Sequence, residues 1–130
     1  MGIIAIIDYG MGNLRSVEKA LQSVGGRTKV VSSPRDIKTA HSVVLPGVGA
    51  FGDAMRGLDR LGLIDPLRDA IAEGKPFLGL CLGLQLLFDK SEEAPLAGGL
   101  GILKGRVKRF ARGTLKVPHM GWNNIIFGRR

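Results

Sequence analysis

The sequence predicts an α/β fold, a mostly parallel twisted sheet flanked by helices. Three observations predict it. Apolar runs of four or five residues alternate with segments of helical periodicity, which is the pattern of a parallel sheet. The first run, Ile3 to Ile7 within the apolar stretch from Met1, is continuously apolar with no polar alternation, as expected of a strand covered on both faces. Finally, loops rich in glycine or other turn residues follow three of the runs, so they gather at the carboxyl ends of the strands, where such sheets place their sites.

The elements follow in order. Ile3 to Ile7 reads as the first strand and Asp8 to Asn13 as a loop. Leu14, Val17, Leu21 and Val24 recur at helical spacing, and Gly25-Gly26 stops that helix. Thr28 to Val31 is a second strand. Ser33-Pro34-Arg35-Asp36 combines an N-cap, a first-turn proline and a first-turn acid, which starts a short helix. Ser42 to Leu45 is a third strand, and Pro46 to Gly49 a glycine loop leading into a helix from Phe51 to Leu61. Pro66 to Glu73 is a further helix ended by Gly74. Pro76 to Leu80 is a fourth strand, and Leu82 to Phe88 reads as the helix after it. Gly98 to Gly101 reads as loop. Arg106 to Phe110 and Leu115 to Val117 are expected to pair as a hairpin around Ala111 to Thr114. Pro118 to Asn123 is an irregular loop, and Ile125 to Phe127 opens another apolar run.

A length of 130 residues, 45% of them hydrophobic, predicts a single domain over residues 1–130 with a real core. The lone cysteine excludes an intramolecular disulfide and suits a reducing cytosol, so a cytoplasmic protein is expected. No apolar run approaches the ~20 residues of a membrane span, and the amino terminus lacks the basic start and cleavage pattern of a signal peptide. No membrane partner is expected.

The net charge of +8 is unevenly placed. All 11 acidic residues lie at or before Glu93. Lys104, Arg106, Lys108, Arg109, Arg112, Lys116, Arg129 and Arg130 carry the whole excess. A basic face suits nucleic acid, yet Phe110, Trp122 and Phe127 are the only aromatics there for stacking. No nucleic-acid partner is expected. The charges are read instead as a solvated face, or as a surface whose acidic partners lie on another polypeptide.

Cys81 carries the strongest chemical signal. It stands at a strand-to-helix turn with Gly79 and Gly83 two residues away on either side, the sequence form of a nucleophile elbow. Flanking glycines let neighbouring backbone pass close, and the helix start supplies partial positive charge and unpaired N–H groups that favour a thiolate. The bland alternative is a small buried apolar cysteine. A cysteine nucleophile needs a base, normally a histidine oriented by a carboxylate. His41 precedes the third strand, at the wrong end of the sheet. His119 sits in the Pro118 to Asn123 loop, where a solvated polar residue is the simpler reading. One cysteine and two distant histidines lack metal-ligand spacing.

Gly47-Val48-Gly49-Ala50-Phe51-Gly52 matches G-x-G-x-x-G, and Asp69 falls at the distance of a ribose-binding acid. A dinucleotide fingerprint belongs to the first strand-helix unit, however, which here has Gly10-x-Gly12 and Arg15 in place of a third glycine. The Gly47 to Gly49 loop is better used to present N–H groups to an oxyanion beside the cysteine. A nucleotide-binding module remains the weaker reading.

Together these stretches resemble the class I glutamine amidotransferases, and among them the glutaminase subunits of imidazole glycerol phosphate synthase from histidine biosynthesis. The resemblance rests on Ile6-Ile7-Asp8-Tyr9-Gly10-Met11-Gly12-Asn13-Leu14, Leu45-Pro46-Gly47-Val48-Gly49-Ala50-Phe51, Gly79-Leu80-Cys81-Leu82-Gly83-Leu84-Gln85 and Val117-Pro118-His119-Met120-Gly121-Trp122-Asn123, in that order along the chain. It implies a flavodoxin-like fold, no cofactor, and Cys81 as nucleophile on the side-chain amide of glutamine. It implies that Gly47, Val48 and Gly49 line the substrate with Gly49 at the oxyanion, and that Gln85 lies near the bound glutamine. Asn13, Met120 and Trp122 would face a cyclase (β/α)8-barrel subunit, the partner in a heterodimer. That subunit receives the ammonia and makes imidazole glycerol phosphate and AICAR. The resemblance also implies a late His-x-Glu that the sequence does not contain, so it covers roughly the first two thirds of a member. The chain is then expected to be a C-terminally incomplete fragment or truncated product, inactive alone. A non-catalytic chain that only binds the cyclase barrel is the alternative.

Overall fold

Four short parallel strands form the sheet: Ile4–Ile7 (β1), Thr28–Val31 (β2), Ser42–Leu45 (β3) and Phe77–Gly79 (β4), in the order β2-β1-β3-β4. The computed structural model describes residues 2–128, so Met1 of the first apolar run and Arg129 and Arg130 of the basic tail lie outside the described residues. Register is continuous: Ile6 faces Val30 and Val44 across its two ladders, and Leu45 faces Gly79. Because every pairing is parallel, β1, β3 and β4 release their following loops on one rim.

The helices between them form as their sequences predict. Leu14–Ser23 (α1) is capped by Asn13, whose Oδ1 accepts from Ser16 N, and packs on β1 and β2. Pro34–Thr39 (α2) has Ser33 as its cap and Pro34 at its start. Phe51–Arg60 (α3) buries Phe51, Ala54, Met55 and Leu58, one apolar stripe at helical spacing. Ile64–Ala72 (α4) starts two residues before Pro66. The proline is tolerated because the first-turn N–H groups have no partner within the helix. Ala5, Ile7, Val43 and Leu45 from the strands join Phe51, Leu58, Leu63, Leu67 and Leu86 in one core cluster.

Two expectations are corrected beyond β4. The helix expected from Leu82 to Phe88 stops at Gln85 (Leu82–Gln85, α5), and Phe88–Ser91 (β5) is a strand. The Gly98 to Gly101 run, expected as plain loop, explains why. Its chain and the residues after it draw this segment into extended pairing instead: Leu100 N donates to Leu86 O at 2.7 Å, Ile102 N to Leu87 O at 2.9 Å, and Phe88 pairs with Leu103. Gly99 fits so closely that a Cβ there would lie 2.0 Å from Phe88 O.

The expected hairpin is absent among the described residues. Leu103–Val107 (β6) pairs in parallel with β5, and Leu115 to Val117 forms no strand. β6 wins this pairing because β5 offers an adjacent ladder and an anchor: Asp89 Oδ2 accepts from Gly105 N at 2.9 Å, where the register shifts by one residue. Gly105 has φ +130, which suits glycine at such a bulge. From Lys108 to Gly128 the chain is exposed throughout, including Phe110, Leu115, Ile125, Ile126 and Phe127.

Candidate active site

The rim brings together the three loops singled out from the sequence. Cys81 links β4 to α5 with φ 53° and ψ −114°, and it is the sole non-glycine residue with positive φ among the described residues. Such a conformation costs on the order of 1–3 kcal/mol and persists only where surrounding structure enforces it. Here backbone contacts enforce it. A Cβ on Gly83 would lie 1.8 Å from Leu45 O, and one on Gly79 would lie 2.8 Å from Leu84 Cα. The turn is tied down by Leu80 N to Leu45 O at 3.0 Å, Gly83 N to Leu80 O at 2.9 Å and Leu84 N to Cys81 O at 3.0 Å. Cys81 is exposed, which sets aside the buried apolar reading.

The Gly47 to Gly49 loop rests on this turn. A Cβ on Gly47 would meet Leu82 Cβ at 3.0 Å and Gly83 N at 3.1 Å. Gly49 has φ +98, is exposed, and has the Met11 methyl above it, 2.9 Å from where its Cβ would be. The N–H groups of Gly49 and Leu82 donate to no backbone carbonyl among the described residues. Val48 is exposed between the glycines. Gln85, one turn along from Cys81, lines a cleft of ≈ 560 Å³ with Ser91, Glu92, Glu93, Val107, Lys108 and Arg109. A smaller cleft of ≈ 230 Å³ between α2 and α4 includes no residue of the rim loops.

Two residues of this region escaped sequence reasoning. Glu93 reaches back across 42 positions so that its Oε2 accepts from Phe51 N at 3.2 Å. It thereby caps α3, whose N-cap residue Ala50 has no side chain able to do so. Nothing local in the sequence signals a contact over that separation. Tyr9 is buried, and its hydroxyl donates to Pro46 O at 2.7 Å. An aromatic with a polar tip in the loop just after the first strand was the available signal. Burial pushes its phenol pKa well above the ordinary range.

Asn13 is exposed on the β1–α1 loop and Met120 and Trp122 are exposed in the tail, with Trp122 fully so at 103%. A core-capping role for Trp122 is therefore excluded in this structure. His41 is exposed at the amino end of β3, and His119 is exposed in the tail. Neither ring hydrogen-bonds to Cys81 among the described residues. No group of three or more His, Cys, Asp or Glu residues suited to a metal ion occurs among the described residues, and no helix there is long and apolar enough to cross a membrane.

The family model "Glutamine amidotransferase class-I" matches residues 5–129, nearly the whole sequence. The chain belongs to the class I glutamine amidotransferases. Within that family it is 51% identical to the imidazole glycerol phosphate synthase subunit HisH of Geobacter metallireducens, over 100% of this chain and 65% of that protein. It is 55% identical to the HisH subunits of Moorella thermoacetica and Methanosarcina acetivorans, covering 97% and 94% of this chain and 60% and 59% of theirs. The chain thus spans about 60% of the length of the curated relatives it matches. A crystal structure of a glutamine amidotransferase superposes with a TM-score of 0.69 at 24% identity, over 83% of this chain and 57% of that one. A putative peptidase E from Listeria monocytogenes gives 0.60 at 17% identity over 68% of this chain and 50% of its own. Both share the fold of this chain, a parallel sheet flanked by helices.

Proposed function

We propose that the chain is a glutamine amidotransferase subunit of a cytoplasmic imidazole glycerol phosphate synthase, with residues 1–130 forming part of one amidotransferase domain. The observation that carries this reading is Cys81, held strained and exposed by backbone that admits only glycine at positions 79 and 83. Identity of 51–55% to HisH subunits supports the choice within the family.

In this reading the Cys81 thiolate adds to the carboxamide carbon of glutamine. The carbonyl electron pair moves to oxygen, which the N–H groups of Gly49 and Leu82 receive, as in other nucleophile elbows. Collapse breaks the C–N bond as the proton given up by the thiol passes to nitrogen, so ammonia leaves and a γ-glutamyl thioester remains, which water cleaves to glutamate and the free thiol. The glutamine backbone carries one ammonium and one carboxylate. The cleft beside Gln85 offers both complements, Glu92 and Glu93 for the first and Lys108 and Arg109 for the second. Ammonia set free in water becomes ammonium and is lost as a nucleophile. A cyclase barrel docked over Asn13, Met120 and Trp122 receives it directly, and the exposed Trp122 and Met120 are the kind of side chains interfaces bury.

Base catalysis must come from outside these described contacts, because neither histidine is partnered with the thiol. Loss of a positioned base commonly removes orders of magnitude in rate, so the chain alone turns over negligibly. The test is incubation with L-glutamine, with and without a cyclase barrel, followed by intact-mass detection of a γ-glutamyl adduct that Cys81→Ala abolishes. Turnover needs the base, whereas a single acylation needs only the thiol and time, so a chain that acquires no adduct even on prolonged incubation with the cyclase barrel overturns the reading.

A further inference from the structure

The geometry points to Tyr9 as a positioning residue that sets the Gly47–Gly49 loop for oxyanion binding, an inference that rests on the glutaminase reading of the site. The Tyr9 side chain is 4% exposed, and its hydroxyl donates to Pro46 O, the carbonyl immediately before Gly47, at 2.7 Å. The fit is tight at both ends of the residue. A Cβ on Gly47 would stand 2.6 Å from Tyr9 Oη, and a Cβ on Gly57 of α3 would stand 2.7 Å from the Tyr9 carbonyl oxygen. Helix α3 therefore backs the Tyr9 main chain while the loop sits against its hydroxyl.

The Pro46–Gly47 peptide is trans, so its C=O and N–H point in opposite directions. The hydrogen bond that fixes Pro46 O consequently fixes the Gly47 N–H and the direction in which the chain enters the two glycines. At its far end the loop is held by Glu93 on Phe51 N. Glycine on its own leaves such a loop many conformations. Pins at both ends restrict it, and Tyr9 is the one beside the glycines. Burial holds the phenol protonated well beyond neutral pH, so the donor is constant. Removing the hydroxyl leaves Pro46 O buried without its partner, a deficit that rotation of the peptide or entry of water relieves at the expense of loop geometry.

Two reactions of one thiol separate positioning from packing. With iodoacetamide the Cys81 sulfur forms a bond to the methylene carbon as iodide leaves, and no oxyanion arises. With p-nitrophenyl acetate the sulfur adds to the carbonyl carbon and the C=O pair moves onto oxygen. That pair then returns as p-nitrophenolate departs, leaving an acetyl thioester. Only the second reaction uses the loop. The Tyr9→Phe variant, measured below its thermal midpoint, is expected to acylate on the order of tenfold more slowly, as small displacements of a catalytic group do, with iodoacetamide alkylation within about twofold of wild type. Parallel loss of both rates makes Tyr9 merely structural and overturns the inference, as does an unchanged acylation rate. A wild-type protein whose acylation-to-alkylation ratio equals that of a free model thiol overturns the oxyanion reading of the loop and this inference together. A raised wild-type ratio that Tyr9→Phe leaves intact overturns this inference alone.

Discussion

Replacing Gly83 by alanine tests the elbow most directly. The new Cβ would lie 1.8 Å from Leu45 O and 2.7 Å from Leu45 C, whereas real contacts of this kind do not fall below 3.0 Å. The backbone must open by about 1.2 Å, the difference between those two distances. Leu45 has nowhere to go: it is fully buried in β3, which is paired on both sides. The movement therefore falls on α5, and it breaks the Leu80 N to Leu45 O bond that holds the turn. Overpacking costs about 1–3 kcal/mol, the lost hydrogen bond about 1 kcal/mol, and alanine regains up to about 1 kcal/mol of helix propensity. The net expectation is a loss of about 2 kcal/mol, read by urea denaturation with far-UV circular dichroism, together with slower alkylation of Cys81. Gly113→Ala, with nothing within 4 Å of its Cβ, is the matched control and should stay within about 0.5 kcal/mol of wild type. If Gly83→Ala is as stable as that control and alkylates normally, backbone crowding does not hold the elbow.

Four further outcomes are expected. Iodoacetamide should modify native protein once, at Cys81, faster than a model thiol, and a native protein that resists labelling would contradict the exposed nucleophile. The 130-residue chain alone should release negligible ammonia from glutamine; robust release would refute this, and its loss in His119→Ala would then identify His119 as the base. Trp122→Ala should leave stability unchanged because the ring is fully exposed, yet weaken cyclase binding by about 2 kcal/mol or more; unchanged affinity removes Trp122 from the interface. Hydrogen bonds from Lys29 and from Ser33 hold the Asp36 pKa below the ordinary carboxyl value. A depressed carboxyl stabilises the fold above its unfolded pKa and loses that contribution as pH falls through the folded one. Asp36→Asn should therefore narrow the gap between urea midpoints at pH 6 and pH 3, and equal acid sensitivity in both proteins would deny the contact a role.

The first 80 residues were legible because their signals are local. Thr28 to Val31 and Ser42 to Leu45 are bounded by turn residues, and Ser33-Pro34 writes its own cap. Cys81 was legible for the same reason, since its two glycines are neighbours in the sequence. The failures lie where distant residues decide. Leu82 to Phe88 has the composition of a helix, but Leu100, Ile102 and Leu103 pair with its last residues from outside the segment and draw Phe88 into a strand. Arg106 to Phe110 and Leu115 to Val117 carry strand-like residues, yet the available ladder was β5. Glu93 on Phe51 and Tyr9 on Pro46 are tertiary hydrogen bonds over 42 and 37 positions, which periodicity does not register.

The backbone at Cys81 also sets stability against retention of the residue over generations. A glycine there would adopt φ 53° without the Cβ penalty, at an entropic cost of about 0.5–1 kcal/mol against a strain of about 1–3 kcal/mol. Selection for folding alone therefore favours glycine at position 81, or is indifferent, and nothing in the packing asks for sulfur. A lineage that keeps this fold after the chemistry has become dispensable should lose the cysteine early, while Gly79 and Gly83, demanded by backbone contact, persist. Sequences with intact glycines and a substituted centre would mark where the reaction was abandoned but the scaffold was kept.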